Sequence, residues 1–263
     1  MFIHCLNMEI QRNVQRWGNS AGVLLPREWL GKQVQVVLID RTLEIKKEVI
    51  DMLGDLLLDI IGIYLVGSYA RGEQDKNSDI DVVAISNNTK KNIKSGKYDI
   101  SIVTLDSVRK TLNKNPILIL PRLLEAKTIF NNSLLEGLKN MKINKNSFNE
   151  YLKETESIIK IDEGFINLDK EQKLEYLDSV EIIYSMMLRS RGIFLIRNIL
   201  NKKKYTKKSF LKFLKSNLDE NEVNLTYNIY EKIRDNIKVK EKIRVDSAEK
   251  LLNLLKREIE SLK

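Results

Sequence analysis

Residues 66–83 read VGSYARGEQDKNSDIDVV, an apolar run that breaks at Gly67-Ser68 and resumes at Asp79-Ile80-Asp81 after ten intervening residues. Such a stretch is either a polar surface turn or a loop that cradles a phosphate chain in front of a metal site. A strand that runs into Gly-Ser and then a short helix over residues 69–72 exposes backbone N–H groups and one hydroxyl at a helix N-terminus, which attracts phosphate. If the chain re-enters a sheet at Asp79, its period of two points Asp79 and Asp81 to one face and Ile80 into the core. Two carboxylates so close repel unless a cation lies between them. Mg²⁺, which prefers oxygen ligands and bridges to phosphates, is the natural partner. A third carboxylate is expected on a neighbouring strand, and Asp99 in KYDISIVTL qualifies. Asp79, Asp81 and Asp99 would then hold two metal ions around the entering and leaving oxygens of a phosphoryl displacement, with Asp99 drawing the proton from the attacking hydroxyl. Arg71 is placed to reach a triphosphate, while Glu73, Asp75 and Lys76 read as solvated loop residues.

The elements that must position these groups lie in residues 49–145. VIDMLGDLLLDI has helical spacing and leads into strand GIYLVG; IDVVAI and YDISIV read as further strands, with Asn92, Lys94, Ser95 and Gly96 in a connecting loop. LDSVRKTL and ILILPRLLEA read as helices. Helix, strands and helices in this order predict an α/β unit with a small mixed sheet. The ordered set of apolar strand, Gly67-Ser68, Arg71-Gly72, Asp79-Ile80-Asp81 and a strand carrying Asp99 resembles the nucleotidyltransferase domain of the DNA polymerase beta superfamily, especially the minimal nucleotidyltransferases. The resemblance covers about residues 49–140. It implies transfer of a nucleoside monophosphate from an NTP to a hydroxyl or similar acceptor, with release of pyrophosphate. It also implies that Gly67 and Ser68 hold the β,γ-phosphates, that Asp79 and Asp81 bind metal, and that Asp99 is a ligand or general base.

Residues 1–48 read as strands and turns: EIQRNVQRW, the hairpin signal Gly18-Asn19, SAGVLLP, a short helical REWLGK, QVQVVLI and TLEIKK. So short a strand segment buries too little apolar surface to stand alone, and dimerisation is the expected remedy. NVQRWGNSAGVLLPREWL resembles the MazE/AbrB-type antitoxin and transition-state-regulator domain. That resemblance implies a two-chain swapped-hairpin β-barrel on DNA, with Arg12, Arg16, Asn19 and Ser20 as phosphate and base contacts. Relatives tend to be basic where this chain has Gln15 and Leu24; fewer cations release fewer counterions and weaken binding.

Residues 146–263 contain no proline and show long helical periodicity, in SVEIIYSMMLRSRGIFLI, SFLKFLKSNL, VNLTYNIYEKI and AEKLLNLLKREIESL. They predict a helical bundle for acceptor binding or dimerisation, with Tyr184, Met186, Met187, Tyr227 and Tyr230 in its core. Part of it resembles HEPN-type bundles, but the Arg-x4-6-His motif of an active HEPN ribonuclease is excluded because the one histidine is His4. The expected fold class is therefore multidomain α/β plus all-α: an AbrB-like module (1–48), a polymerase-beta-like sheet (49–145) and a helical bundle (146–263).

Of the net charge of +9, +6 falls in residues 141–263, and residues 197–215 carry eight Lys/Arg and no acid. This run suits an acidic protein or RNA acceptor, or a solvated helix face. One cysteine, Cys5, excludes an intrachain disulfide, and with one histidine no Cys/His zinc site can form, so any metal must be held by oxygen. No apolar run approaches membrane-span length and no export signal opens the chain, so a cytoplasmic homodimer is expected. The competing expectation is a transcriptional regulator in which the nucleotidyltransferase fold only senses an NTP.

Overall fold

The computed structural model describes residues 10, 12, 14–36, 42–75 and 78–262. At its centre is a five-stranded sheet formed by β3 (Ile60–Leu65), β4 (Ile80–Ser86), β5 (Lys91–Ser95), β6 (Tyr98–Thr104) and β7 (Lys127–Phe130), in the spatial order β5-β6-β4-β3-β7. Only β4 and β6 run parallel. The three expected strands are all present, and two more appear. β5 covers Asn92, Lys94 and Ser95, which sequence analysis assigned to a loop, leaving Gly96 in the turn. Its residues are almost all exposed, so no apolar alternation betrays it, and its two lysines are the charges that protect a sheet edge.

Alternation along the central strands builds two cores, one on each face of the sheet. On one face Ile63, Leu65, Ile80, Val82, Ala84 and Ile100 pack beneath α1 (Thr42–Leu53), which contributes Ile45, Val49 and Leu53. These three residues, four apart, form a single helical stripe, so TLEIKK is the first part of a helix and not the strand it resembles in isolation. On the other face Tyr64, Val66, Val83 and Ile85 meet α3 (Leu105–Lys114), α4 (Leu120–Glu125) and α5 (Asn132–Lys139).

The bundle comprises α6 (Asn149–Glu171), α7 (Glu181–Leu200), α8 (Lys207–Lys215), α9 (Glu220–Arg234) and α10 (Val245–Glu260) around one core. Met186, Met187 and Tyr230 are buried in it, and Tyr184 and Tyr227 pack against it. Helix α7 approaches α6 at Gly192, where a Cβ would lie 1.8 Å from the Tyr151 hydroxyl oxygen. Ile143 and Ile199 pack against both the bundle core and the α3–α5 side of the sheet, which joins the two units.

Before α1, strands β1 (Gln15–Trp17) and β2 (Ser20–Gly22) pair antiparallel around Gly18, whose φ of 59° supplies the hairpin turn. This hairpin is shorter than the runs expected at residues 9–17 and 20–26. REWLGK holds one 3-10 turn at Arg27–Trp29, and residues 33–36 form no strand. An AbrB-like barrel is not evident: the described residues here show the two-stranded sheet alone, while residues 37–41, like His4 and Cys5, lie outside them. Among the described residues no helix is long and apolar enough to cross a membrane.

Candidate active site

Strand β3 carries the chain to Val66, whose N–H bonds the carbonyl of Asp81 at 2.9 Å. The chain then turns through Gly67 at φ 71° into the five-residue helix α2 (Gly67–Arg71), which ends at left-handed Gly72. A Cβ on Gly67 would lie 2.3 Å from Oδ2 of Asp81. Glycine is thus required twice, by the backbone angle and by the carboxylate against it.

Strand β4 starts at Ile80, which is 1% exposed, so Asp79 and Asp81 fall on the opposite side as alternation requires. In the parallel β4–β6 register Asp81 lies directly beside Asp99. Asp81 is half-buried, Asp99 partly exposed and Asp79 exposed. Burial pushes the Asp81 carboxyl above its usual range; Arg122 counteracts this, while the charges of Asp99, Asp79 and Glu125 add to it. Neighbouring carboxylates therefore add to the cost of ionising Asp81, the condition a bound cation relieves. Asp99 also faces Lys94 of β5, with 3.3 Å between Oδ2 and Nζ. Among the described residues no group of three His, Cys, Asp or Glu side chains forms a ready-made metal cage. The donor set is nonetheless all oxygen and strongly anionic, and it fits a hard divalent ion in its chemistry.

Ser68 is half-buried beside Gly67. The donors next to it are engaged by a residue that sequence analysis did not single out. Glu125, at the end of α4, accepts from the Gly67 N–H at 2.8 Å and from Arg71 Nη1 at 2.7 Å. One carboxylate therefore occupies donors on two of the three residues given to a triphosphate, Gly67 and Arg71. Glu73 is not a solvated loop residue either. It accepts from Arg71 Nε at 2.7 Å and from the Lys207 N–H at 3.0 Å, tying the loop to the bundle. Burial opposes the charge on Arg71, but the bonds to Glu73 and Glu125 outweigh it and its pKa is raised. Asp75 is exposed, and Lys76 lies outside the described residues.

The bundle adds a second cation. Arg71 and Arg191 both stack on the Tyr205 ring, at 5.8 and 5.4 Å from its centroid, and Arg191 Nε donates to the Tyr205 hydroxyl at 3.2 Å. Arginines in an otherwise apolar helical run, as in MMLRSRGIFLI, were the available signal for such a residue.

Arg12 before the N-terminal hairpin and Arg16, Asn19 and Ser20 within it are all exposed, and Arg16 Nε donates to the Gly18 carbonyl at 3.0 Å.

Residues 44–260 match the family model described as "Nucleotidyltransferase domain". The chain belongs to this nucleotidyltransferase family. The match extends past the sheet and through the bundle, so both units fall within it. Residues 6–42 match a different model, described as "Putative transposon-encoded protein (DUF2080)". A curated relative from Methanocaldococcus jannaschii, "Putative protein adenylyltransferase MJ1305", is 38% identical over 120 residues, covering 44% of this chain and 82% of the relative. A solved structure of a spectinomycin adenyltransferase from Enterococcus faecialis with ATP and spectinomycin is 17% identical with a TM-score of 0.42, over 83% of this chain and 99% of that one. A structure described as a toxin-antitoxin with AMP-PNP is 20% identical with a TM-score of 0.26, over 36% of this chain and 80% of that one. At these scores neither structural likeness bears on function.

Proposed function

We propose that the protein is a metal-dependent nucleotidyltransferase that moves NMP from an NTP to a hydroxyl of a protein or RNA. The observation that carries this reading is the side-by-side register of Asp81 and Asp99 with Gly67 packed against the Asp81 carboxylate. It brings the glycine-serine turn and the acidic pair into one spot. In this reading Gly67, Ser68 and Arg71 hold the β,γ-phosphates, and Glu125 yields its two donors to the incoming triphosphate. Two Mg²⁺ ions held by Asp79, Asp81 and Asp99 would offset charge on the reacting oxygens. The acceptor oxygen bonds to the α-phosphorus, the bridge to pyrophosphate breaks, and Asp99 takes the hydroxyl proton. A protein acceptor and AMP as the transferred group are favoured by the name of the Methanocaldococcus jannaschii relative.

The domain limits in this reading are residues 1–48, 49–145 and 146–263, with α1 (Thr42–Leu53) crossing the first limit because its Ile45 packs on the sheet. The N-terminal module is a swapped hairpin that dimerises and contacts DNA through Arg12, Arg16, Asn19 and Ser20. Val14, Trp17, Leu24, Leu30 and Val36 are exposed and none joins a hydrophobic core, which suits a segment completed by a second copy. A DNA-binding dimer fused to a transferase suits a toxin-antitoxin role in the cytoplasm.

The test is transfer of label from α-labelled NTPs to protein or RNA in a cell extract. The doubly substituted Asp79→Ala/Asp81→Ala protein should lose it by at least about a hundredfold, as loss of metal-held charge stabilisation requires; transfer equal to wild type would sink the reading. A second reading, an NTP-sensing transcriptional regulator, is favoured by one observation: Asp99 is already paired with Lys94. DNA retardation with and without NTP and Mg²⁺ separates the two. A regulator shows nucleotide-dependent binding without pyrophosphate release, and an enzyme releases pyrophosphate.

A further inference from the structure

Helix α6 turns Asp162 and Asp169 into the bundle, where they are 5% and 6% exposed. Its outer side carries Ile161, Phe165 and Leu168, each at least half exposed, and half-buried Ile158 completes the line. Charges inside and large apolar groups outside reverse the usual arrangement of a surface helix. A generally loose bundle is not the cause: among the described residues α7 exposes one large apolar side chain, Leu188, and α8, α9 and α10 expose none.

Ile158, Ile161, Phe165 and Leu168 are spaced three, four and three residues apart, the a and d spacing of a seam between two helices. Gly164 borders the seam in mid-helix, where glycine is a poor helix former. A Cβ added to it would meet no atom within 4 Å, so nothing in its own chain requires the glycine. A bare backbone at that point lets a second helix come close. The seam also reads the same in reverse. Two antiparallel copies of α6, centred on Glu163, lay Ile158 of one on Leu168 of the other and Ile161 on Phe165, and the two-fold axis repeats both pairs. Lys153 of one copy then meets Glu171 of the other. Both are exposed, and neither makes an ion pair among the described residues. Glu163 itself is drawn away from the seam to Lys256 of α10, at 2.6 Å.

We propose that α6 pairs antiparallel with α6 of a second copy of the chain. The pairing is separate from the N-terminal hairpin and independent of nucleotide transfer. Four layers between two helices bury less than the ~1,200 Å² of a standard interface, so the contact is a weak one. At low micromolar concentration it is open and the hairpin alone sets the state of the chain. At high concentration it joins copies through their bundles.

Sedimentation equilibrium of the full chain from ~1 µM to ~500 µM reads the association, with a dissociation constant expected on the order of 100 µM. The average mass of wild type should rise toward twice its low-concentration value. Phe165→Asp should weaken the step at least about tenfold, because it places a charge in the seam. Leu58→Asp, which removes an apolar side chain 97% exposed elsewhere on the surface, should associate as wild type does. Lys153→Glu and Glu171→Lys should each weaken the step a few-fold, and Lys153→Glu/Glu171→Lys together should regain wild-type association. The two residues lie about 27 Å apart on one helix, so only antiparallel copies can restore their pairing. These exposed charges decide the matter even if Phe165→Asp fails to fold. A constant mass for wild type would overturn the proposal and leave the apolar line to another protein. Equal weakening by Phe165→Asp and Leu58→Asp would do the same, as would a double charge variant no better than its singles. A step lost equally with Trp17→Ala would seat the hairpin of another copy on α6 and overturn the pairing of α6 with itself.

Discussion

At the scale of single residues, Gly67 and Glu125 set the sharpest expectations. Gly67→Ala puts a methyl 2.3 Å from Asp81 Oδ2 at a φ of 71°. It should cost about 1–3 kcal/mol of stability, measured by urea unfolding, and should reduce transfer activity beyond what that loss explains. Glu125→Gln keeps the shape but gives up the negative charge that competes for Gly67 and Arg71, so the NTP should bind about fivefold more tightly by calorimetry, a gain of about 1 kcal/mol. Unchanged or weaker binding would show that Glu125 does not compete with the nucleotide. Asp162 gives a pH prediction away from the site. Burial raises its carboxyl pKa, partly offset by the Ser185 hydroxyl, which donates to Oδ2 at 2.9 Å, and by Arg189. A raised folded-state pKa means that the native protein bears a penalty for the charge once pH is above the ordinary aspartate range. Asp162→Asn should therefore stabilise the protein at neutral pH, and the gain should vanish as pH falls below that range. Thermal melts of both proteins across the interval read the difference.

Elements matter where two of them meet with no room to spare. Helices α6 and α7 close on one another at Gly192, whose absent side chain leaves room for the Tyr151 ring. Gly192→Ala should destabilise the bundle by about 1–3 kcal/mol through overpacking, and adding Tyr151→Phe should recover part of it by removing the nearest atom. Equal denaturation midpoints for wild type and Gly192→Ala would show that the helices separate freely. The sheet edge illustrates how an element escapes notice in a sequence. β5 is built from polar residues because an exposed edge strand must discourage further pairing, and its pairing partner β6 is what makes it a strand. The first half of α1 escaped for the opposite reason: residues 42–47 alternate like a strand, although residues 49–53 were expected to be helical, and the stripe Ile45, Val49, Leu53 shows that both belong to one helix.

On the scale of the whole molecule the sheet and bundle are joined through Ile143, Ile199 and the Glu73–Lys207 bond, while the N-terminal hairpin displays apolar side chains to solvent. Trp17 is 65% exposed in the single chain. If a second copy covers it, light scattering should give a dimer for the full chain and a monomer after removal of residues 1–41. Tryptophan emission should then shift to the red on dilution of the full chain. A monomeric full chain would remove the dimerising role from the hairpin.

The sequence by itself determined the strands that flank Gly67-Ser68, the helical nature of residues 147–263 and the spacing of Asp79 and Asp81, because alternation, helical period and glycine conformation are local properties. Tertiary structure alone decided the register that sets the expected Asp99 directly beside Asp81, that Glu125 and not solvent meets Gly67 and Arg71, and that Tyr205 of the bundle contacts both Arg71 and Arg191. These are contacts between residues 14 to 134 positions apart. They depend on how the sheet orders its strands and where the bundle docks, and no local pattern encodes either.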